Sequence, residues 1–154
     1  MFHWLMLRPI RLRRIALLLE AIVWLFVLRL AIGNVPFRLI AARMGTCVKP
    51  ADDRVRQILT RPLDPRTALM ARTVGWAVAC SARKLPFSTA CLHQAIAARR
   101  MLNRRHVATV LHLGANHQNG LAESLTAHAW LEAAGAEVTG YPAARQFVAI
   151  ASFV

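Results

Sequence analysis

The sequence predicts an α+β protein, with helices in the first two thirds of the chain and a small antiparallel sheet in the last third. Helix-type spacing and capping residues recur up to about residue 102, and alternation with a period of two begins at Val107. Between these patterns, Cys91 falls in the first turn of a helix predicted to begin near Ser88. A chain of 154 residues can form one domain with its own core.

Residues 1–65 are predicted to be a helical, apolar and basic N-terminal segment that precedes a core of residues 66–154. The apolar run from Ile15 to Leu28 contains Glu20 and is closed by Arg29 after 14 residues, whereas a bilayer span needs about 20 apolar positions. We therefore expect a helix that packs on the protein or on a partner. Peripheral contact with a membrane, insertion and export stay open as alternatives.

Turn-forming residues divide the rest of the helical region. Asn34 to Phe37 breaks the first helix, and Phe37 to Met44 predicts a short second one that ends at Gly45. Proline and aspartate at 49–53 and 61–65 then flank another short helix.

A helix is also predicted from Arg66 to Lys84, capped by Asp64 and weakened by Gly75. We expect Trp76 and Cys80 to lie in its buried face.

The helix that carries Cys91 has strong start signals. Pro86 disfavours helix at the residue before it, and Ser88 and Thr89 are good N-cap residues. Small side chains on the cysteine's face would let a sheet approach closely, and the arginines that follow are expected at the solvated surface. The predicted face is Cys91, Ala95, Ala98 and Leu102, and the arginines are Arg99, Arg100, Arg104 and Arg105.

The remaining chain alternates as strands do. A strand is predicted over Val107 to Leu113, followed by a polar loop from Gly114 to Gly120 that contains His117. Further strands are predicted over 126–133, 136–141 and 146–153, which gives three or four antiparallel strands behind the helix.

Charge and cysteine content limit the function classes. The net charge of +13 indicates an anionic partner, such as a membrane surface or an acidic polypeptide. The arginines are scattered and no nucleic-acid-binding motif is present, so no nucleic-acid function is predicted. Three cysteines without a C-x-x-C pair indicate a reducing compartment and predict no metal site and no cofactor. Cys47 and Cys80 are expected to be small buried residues.

Cys91 is the predicted nucleophile, because the amide groups and dipole at a helix N-terminus favour a thiolate. Of the histidines, His93 and His106 are expected to meet solvent, His117 is expected in the loop, and His112 is expected to be a structural strand residue. His128 lies in mid-strand among alanines, two residues before Trp130, and is the predicted general base. A thiol–imidazole pair is suited to acyl transfer in two steps.

Several blocks of sequence resemble one known family. They are Leu85-Pro86 through Cys91-Leu92, the arginine-rich helix with Met101-Leu102, the strand ending in Leu113-Gly114, and Ala127-His128-Ala129-Trp130-Leu131-Glu132. Over residues 70–153 the chain resembles the transglutaminase-like leader peptidase of lasso-peptide biosynthesis, which is related to the C-terminal domain of the microcin-processing maturation protein.

The resemblance implies a papain/transglutaminase-like core and a cysteine protease with Cys91 as nucleophile and His128 as general base. It further implies removal of the leader from a ribosomally made precursor peptide before macrolactam cyclisation. The implied partners are the precursor, a separate leader-recognition protein and a macrolactam cyclase. The implied location is cytoplasmic, with membrane contact through the N-terminal segment left open.

The third member of the site is left open. The family pattern has an acidic residue on the strand after the histidine, where Gly140 and Tyr141 would face His128. Glu132 lies about 13 Å along the same strand, and Glu137 is expected to pair with Glu132. Either carboxylate would need a bulge or another register, or the imidazole is oriented by a backbone carbonyl or another polar side chain.

Two alternative functions stay open. One is acyl transfer to an amine on the same fold. The other is a basic, membrane-associated adaptor without catalysis.

Overall fold

The structure, a computed structural model, describes residues 3–62, 64–117 and 125–154. The N-terminal half of the chain is largely helical and the C-terminal part supplies the sheet. In chain order the elements are α1 (His3–Asn34), α2 (Phe37–Ala42), β1 (Cys47–Val48), α3 (Asp53–Thr60), α4 (Pro65–Lys84), α5 (Cys91–Asn103), β2 (Val110–His117), β3 (Leu125–Ala133), β4 (Ala136–Thr139), a 3₁₀ turn (Ala143–Gln146) and β5 (Val148–Phe153).

The strands form one antiparallel sheet in the order β1-β5-β2-β3-β4. Helices packed against a small antiparallel sheet confirm the predicted α+β class. The β1 strand was not predicted, because two residues are too few for a period-two pattern. Its Cys47 is exposed, so the expectation that this cysteine is buried is wrong.

The β2 strand begins three residues later and ends four residues later than predicted. The pattern predicted a loop from Gly114 onward, but pairing with β3 continues to His117 opposite Leu125. The register shifts between Leu113 and Gly114 on the other side of β2, where it pairs with β5. The rest of the predicted loop, residues 118–124, lies outside the described residues.

The α5 helix lies at the centre of the core. Ala95, Ala98 and Leu102 are fully buried, as their spacing predicted. Of the arginines expected at the surface, Arg99 is buried and donates to the carbonyl of Phe153, so that expectation is wrong for this residue. Burial lowers the pKa of Arg99 to about 10.

The α4 helix packs on α5 and β4 and begins at its predicted cap. The Asp64 carboxylate accepts hydrogen bonds from the amides of Arg66 and Thr67. A Cβ at Gly75 would lie 2.1 Å from the carbonyl oxygen of Val138, so this glycine allows α4 to approach β4 closely. Gly75 therefore lowers the helix propensity of α4 but allows the close packing of α4 on β4.

Trp76 is not a core residue. It is 42% exposed, and the Arg14 guanidinium lies 5.6 Å from its ring centroid. Helical spacing alone did not distinguish the buried face of α4 from the face that turns toward α1.

The α1 helix packs one face on α4 and α5. Leu17, Ala21 and Leu25 belong to the same core as the α5 alanines, and Glu20 forms an ion pair with Arg105 at 2.7 Å. The predicted boundary at residue 65 thus separates two parts of the sequence that share one core.

Candidate active site

Cys91 is the first residue of α5. The helix begins three residues later than Ser88, and Ala90 occupies the N-cap position without a side-chain hydrogen bond, so the predicted Ser88 and Thr89 cap is wrong. As a consequence the cysteine, rather than a capping oxygen, lies beside the unpaired amides of the first turn. The Ala129 amide also donates to Cys91 Sγ at 3.4 Å.

His128 lies on β3, next to that amide. Its Nε2 is 2.8 Å from the carbonyl oxygen of Gly140. Because a carbonyl can only accept a hydrogen bond, Nε2 carries the proton, and in the neutral ring Nδ1 is the nitrogen that accepts one. The imidazole stacks on Phe147, with ring centroids 4.9 Å apart, and on Trp130 at 6.3 Å. These contacts fix both the tautomer and the ring plane.

Cys91 and His128 line the same open cavity, whose volume is about 310 Å³. The cavity lies between the start of α5, the middle of β3 and the chain that follows β4. Its other lining residues are Ala79, Gln94, Val138, Thr139, Gly140, Tyr141 and Ala143. The structure therefore brings together the two residues that the sequence paired across 37 positions.

The carboxylates considered for the third position have other hydrogen-bond partners. Glu132 accepts a hydrogen bond from the Tyr141 hydroxyl, and Glu137 pairs with Arg145 at 2.8 Å. The two glutamates lie opposite each other in the β3–β4 register, as predicted. Among the described residues, the recorded partner of the His128 ring is a backbone carbonyl, which is one of the alternatives left open by the sequence.

The orienting carbonyl belongs to a residue that has to be glycine. Gly140 has a φ of +88°, and a Cβ there would lie 2.6 Å from Trp130 Cβ and 2.8 Å from the Ala129 carbonyl oxygen. The positive φ directs the chain after β4 back across β3, which brings the Gly140 carbonyl to the imidazole. A glycine directly after a short strand was the only sequence signal for this role.

Tyr141 also ties the chain that follows β4 to β3. Its hydroxyl donates to Glu132 of β3, and its ring lines the cavity. Burial raises the pKa of the Tyr141 phenol well above its usual value of about 10, and the hydrogen bond to Glu132 adds to this effect. The neutral phenol therefore persists as a donor throughout the physiological range.

His93, His106 and His112 do not line this cavity. His112 is buried and its Nδ1 lies 2.8 Å from Ser152 Oγ, which agrees with the structural role predicted for it. His93 was expected to meet solvent, but it is 7% exposed, and in the described part of the chain neither ring nitrogen has a hydrogen-bond partner. His106 is exposed, and the side chain of His117 lies outside the described part of the chain.

No metal cluster occurs in the part of the chain that the structure describes: three or more His, Cys, Asp or Glu side chains do not converge there.

Comparison with known families identifies the superfamily of the chain. The family model of the transglutaminase-like superfamily matches residues 23–152, which is most of the chain. The chain belongs to the transglutaminase-like superfamily. Domains of this superfamily are typically cysteine-based enzymes with protease or acyltransferase activity. No curated protein and no solved structure matches the chain significantly.

The match to the transglutaminase-like superfamily begins inside α1, so it includes part of the N-terminal segment. Within that helix, Arg11–Asn34 is long and apolar enough to cross a membrane, by length and composition alone. Core helices and signal sequences meet the same criterion.

Proposed function

We propose that this protein is a cytoplasmic cysteine protease that removes the leader from a ribosomally made lasso-peptide precursor. Its partners would be the precursor, a leader-recognition protein and the cyclase that closes the macrolactam afterwards. The observation that carries the proposal is the shared cavity of Cys91 and His128, with the Ala129 amide on the sulfur. The leader specificity rests on the sequence blocks around these two residues.

The proposed reaction has two steps. Cys91 Sγ attacks the carbonyl carbon of the scissile bond, and His128 Nδ1 passes the thiol proton to the leaving amine of the core peptide. The leader is then held as a thioester on Cys91. Water attacks this thioester, His128 takes one of its protons, and the thiol and the leader carboxylic acid are released.

The backbone at the start of α5 would assist these steps. The amides of the first helical turn have no partner within the helix and can stabilise the developing oxyanion. The Gly140 carbonyl holds Nε2–H, which leaves Nδ1 as the ring nitrogen that can accept a proton. A carbonyl can hold Nε2–H of both the neutral and the protonated ring.

Reconstitution with the precursor and a leader-recognition protein tests the proposal, with products identified by mass spectrometry. Cys91→Ala should abolish cleavage, because it removes the nucleophile. His128→Asn should lower the rate of cleavage by about 10²-fold or more, because it removes the group that transfers the proton. Cys47→Ser and Cys80→Ser are the matched controls and should cleave at nearly the wild-type rate. Cleavage by the Cys91 variant would exclude the assignment.

Acyl transfer to an amine is the second candidate, because the superfamily includes it and the thioester is common to both. Adding a primary amine to the same assay distinguishes the two. Hydrolysis yields the free leader acid, whereas a transferase yields the amide of the added amine.

An adaptor without catalysis predicts a different result. Brief treatment with iodoacetamide at neutral pH would then label the three cysteines according to exposure, with Cys47 fastest. A protease predicts that the half-buried Cys91 reacts fastest.

A further inference from the structure

The outer face of α1 is a continuous apolar stripe. Its side chains follow one another at spacings of three and four, so they lie along one line of the helix. The stripe consists of Leu12, Ile15, Leu19, Val23, Phe26 and Leu30, which are 52% to 66% exposed. From Leu12 to Leu30 the stripe extends about 27 Å along the helix axis.

The opposite face of α1 holds the helix against the domain. Leu17, Ala21 and Leu25 are buried in the core, and the Leu18 carbonyl accepts a hydrogen bond from Ser81 of α4. Glu20 is paired with Arg105 of α5. Only 22% of the most apolar window of the helix is buried, so α1 is neither a core helix nor free to leave the domain without breaking these contacts.

Basic residues border the stripe. Residues 1–51 contain eight basic side chains and one acidic side chain, Glu20, which is already paired. Arg11 and Arg29 lie on the same edge of the stripe, and both are exposed. The charge around this apolar face therefore complements an anionic surface.

The neighbouring helix α4 also has exposed apolar side chains. On α4, Leu69 and Trp76 are 67% and 42% exposed, and Arg14 of α1 lies over the Trp76 ring. Tryptophan with arginine beside an apolar face is typical of side chains at a membrane–water interface.

We propose that α1 docks in the plane of an anionic lipid membrane, with the stripe in the boundary between headgroups and acyl chains. The apolar width and the bordering arginines fit a helix that lies on the membrane. To span the bilayer, α1 would have to break the contacts of its inner face with α4 and α5. This inference does not depend on the proposed protease chemistry.

Flotation of the full-length protein with lipid vesicles tests the inference. Vesicles containing phosphatidylglycerol should float the protein, pure phosphatidylcholine vesicles should bind it more weakly, and added salt should reduce binding. Cys91→Ala should bind like the wild type, so a failure of the protease assignment is separate from a failure here. No flotation with either lipid would overturn the proposal.

A matched pair of double variants identifies the surface. Leu19→Gln with Val23→Gln removes a leucine and a valine from the stripe and should weaken vesicle binding by about tenfold or more. Val148→Gln with Ile150→Gln removes the same number of apolar carbons from exposed positions of β5 and should leave binding unchanged. Equal effects of the two double variants would overturn the assignment to α1.

Two further measurements test the charge and the depth. Arg11→Gln and Arg29→Gln should each weaken binding to anionic vesicles by about fivefold, without a change in fold by circular dichroism. Alkaline carbonate should release the bound protein, and retention would show a spanning helix instead. A stable dimer without vesicles, lost in the Leu19 and Val23 variant, would show that a second copy covers the stripe.

Discussion

The group that holds the His128 imidazole is a backbone carbonyl, and its position depends on a glycine. The Gly140 carbonyl receives Nε2–H of His128, and its path requires a φ of +88° with no Cβ beside Trp130. The carboxylates that the sequence offered are used elsewhere, by Tyr141 and Arg145.

We expect Gly140→Ala to lower kcat/KM at least tenfold, because the added Cβ must displace the carbonyl from the imidazole. Gly135→Ala is the control: its φ is also positive, at +77°, but its nearest contact would be 3.5 Å. That variant should lose about 1 kcal/mol of stability and keep its activity per folded molecule. Equal loss of activity in both variants would show that strain, and not the carbonyl, is responsible.

Tyr141 can be followed by its own absorbance, since it is the only tyrosine in the sequence. Burial and the Glu132 hydrogen bond raise its pKa, so the folded protein should show no tyrosinate absorbance at 295 nm at pH 10.5, where a free tyrosine is mostly ionised. Glu132→Gln should lower the midpoint of this titration. Ionisation of the folded wild type near pH 10 would contradict the buried pair.

At the scale of elements, the α4 helix and the β4 strand lie closer together than a Cβ atom at position 75 would permit. Gly75→Ala should therefore destabilise the protein by about 1–3 kcal/mol, although alanine is the better helix former. Gly33→Ala, in α1, meets no atom within 4 Å and should stabilise by about 0.5–1 kcal/mol. Denaturant unfolding of both variants measures the difference, and stabilisation by both would mean that α4 can move away from β4.

The elements show why some features were predictable. The Asp64 cap, the α5 face of Ala95 and Ala98, and the strand alternation over Val110 to Leu113 are local patterns, and each is present in the structure. The burial of Arg99 was not predictable in this way. Its partner is the carbonyl of Phe153, 54 residues away, and no local pattern reports such a contact.

In the candidate site, too, some positions follow from local sequence patterns and others depend on long-range contacts. The positions of Cys91 on a helix start and His128 on a strand follow from local signals, and the structure places them on one cavity. The third member depended on the β3–β4 register and on the chain direction after Thr139. The register shift between Leu131 and Glu132 is a property of the folded sheet.

For the molecule as a whole, two buried histidines couple stability to pH. Burial lowers the pKa of His93, with Arg29 acting in the same direction, and burial also lowers the pKa of His112 despite the opposing charge of Glu132. In the unfolded chain both would take up protons near pH 6.5.

Because the unfolded state then binds more protons, stability is full above about pH 6.5 and falls as the pH decreases below it. His93→Leu should reduce this loss between pH 7 and pH 5.5, as measured by denaturant unfolding at each pH. His106→Asn, at an exposed position whose positive φ suits asparagine, should keep the wild-type dependence. An unchanged dependence in the His93 variant would contradict the role of this side chain.

The role of the Gly140 carbonyl also predicts the result of a mutational screen. A saturation screen for loss of function should find Cys91 and His128 intolerant of nearly every replacement, but no acidic position with the same profile. The third intolerant position should be a glycine, at which every side chain fails alike, whatever its charge or polarity. An alignment-based search for a catalytic triad would miss it, since the information lies in the absence of a side chain.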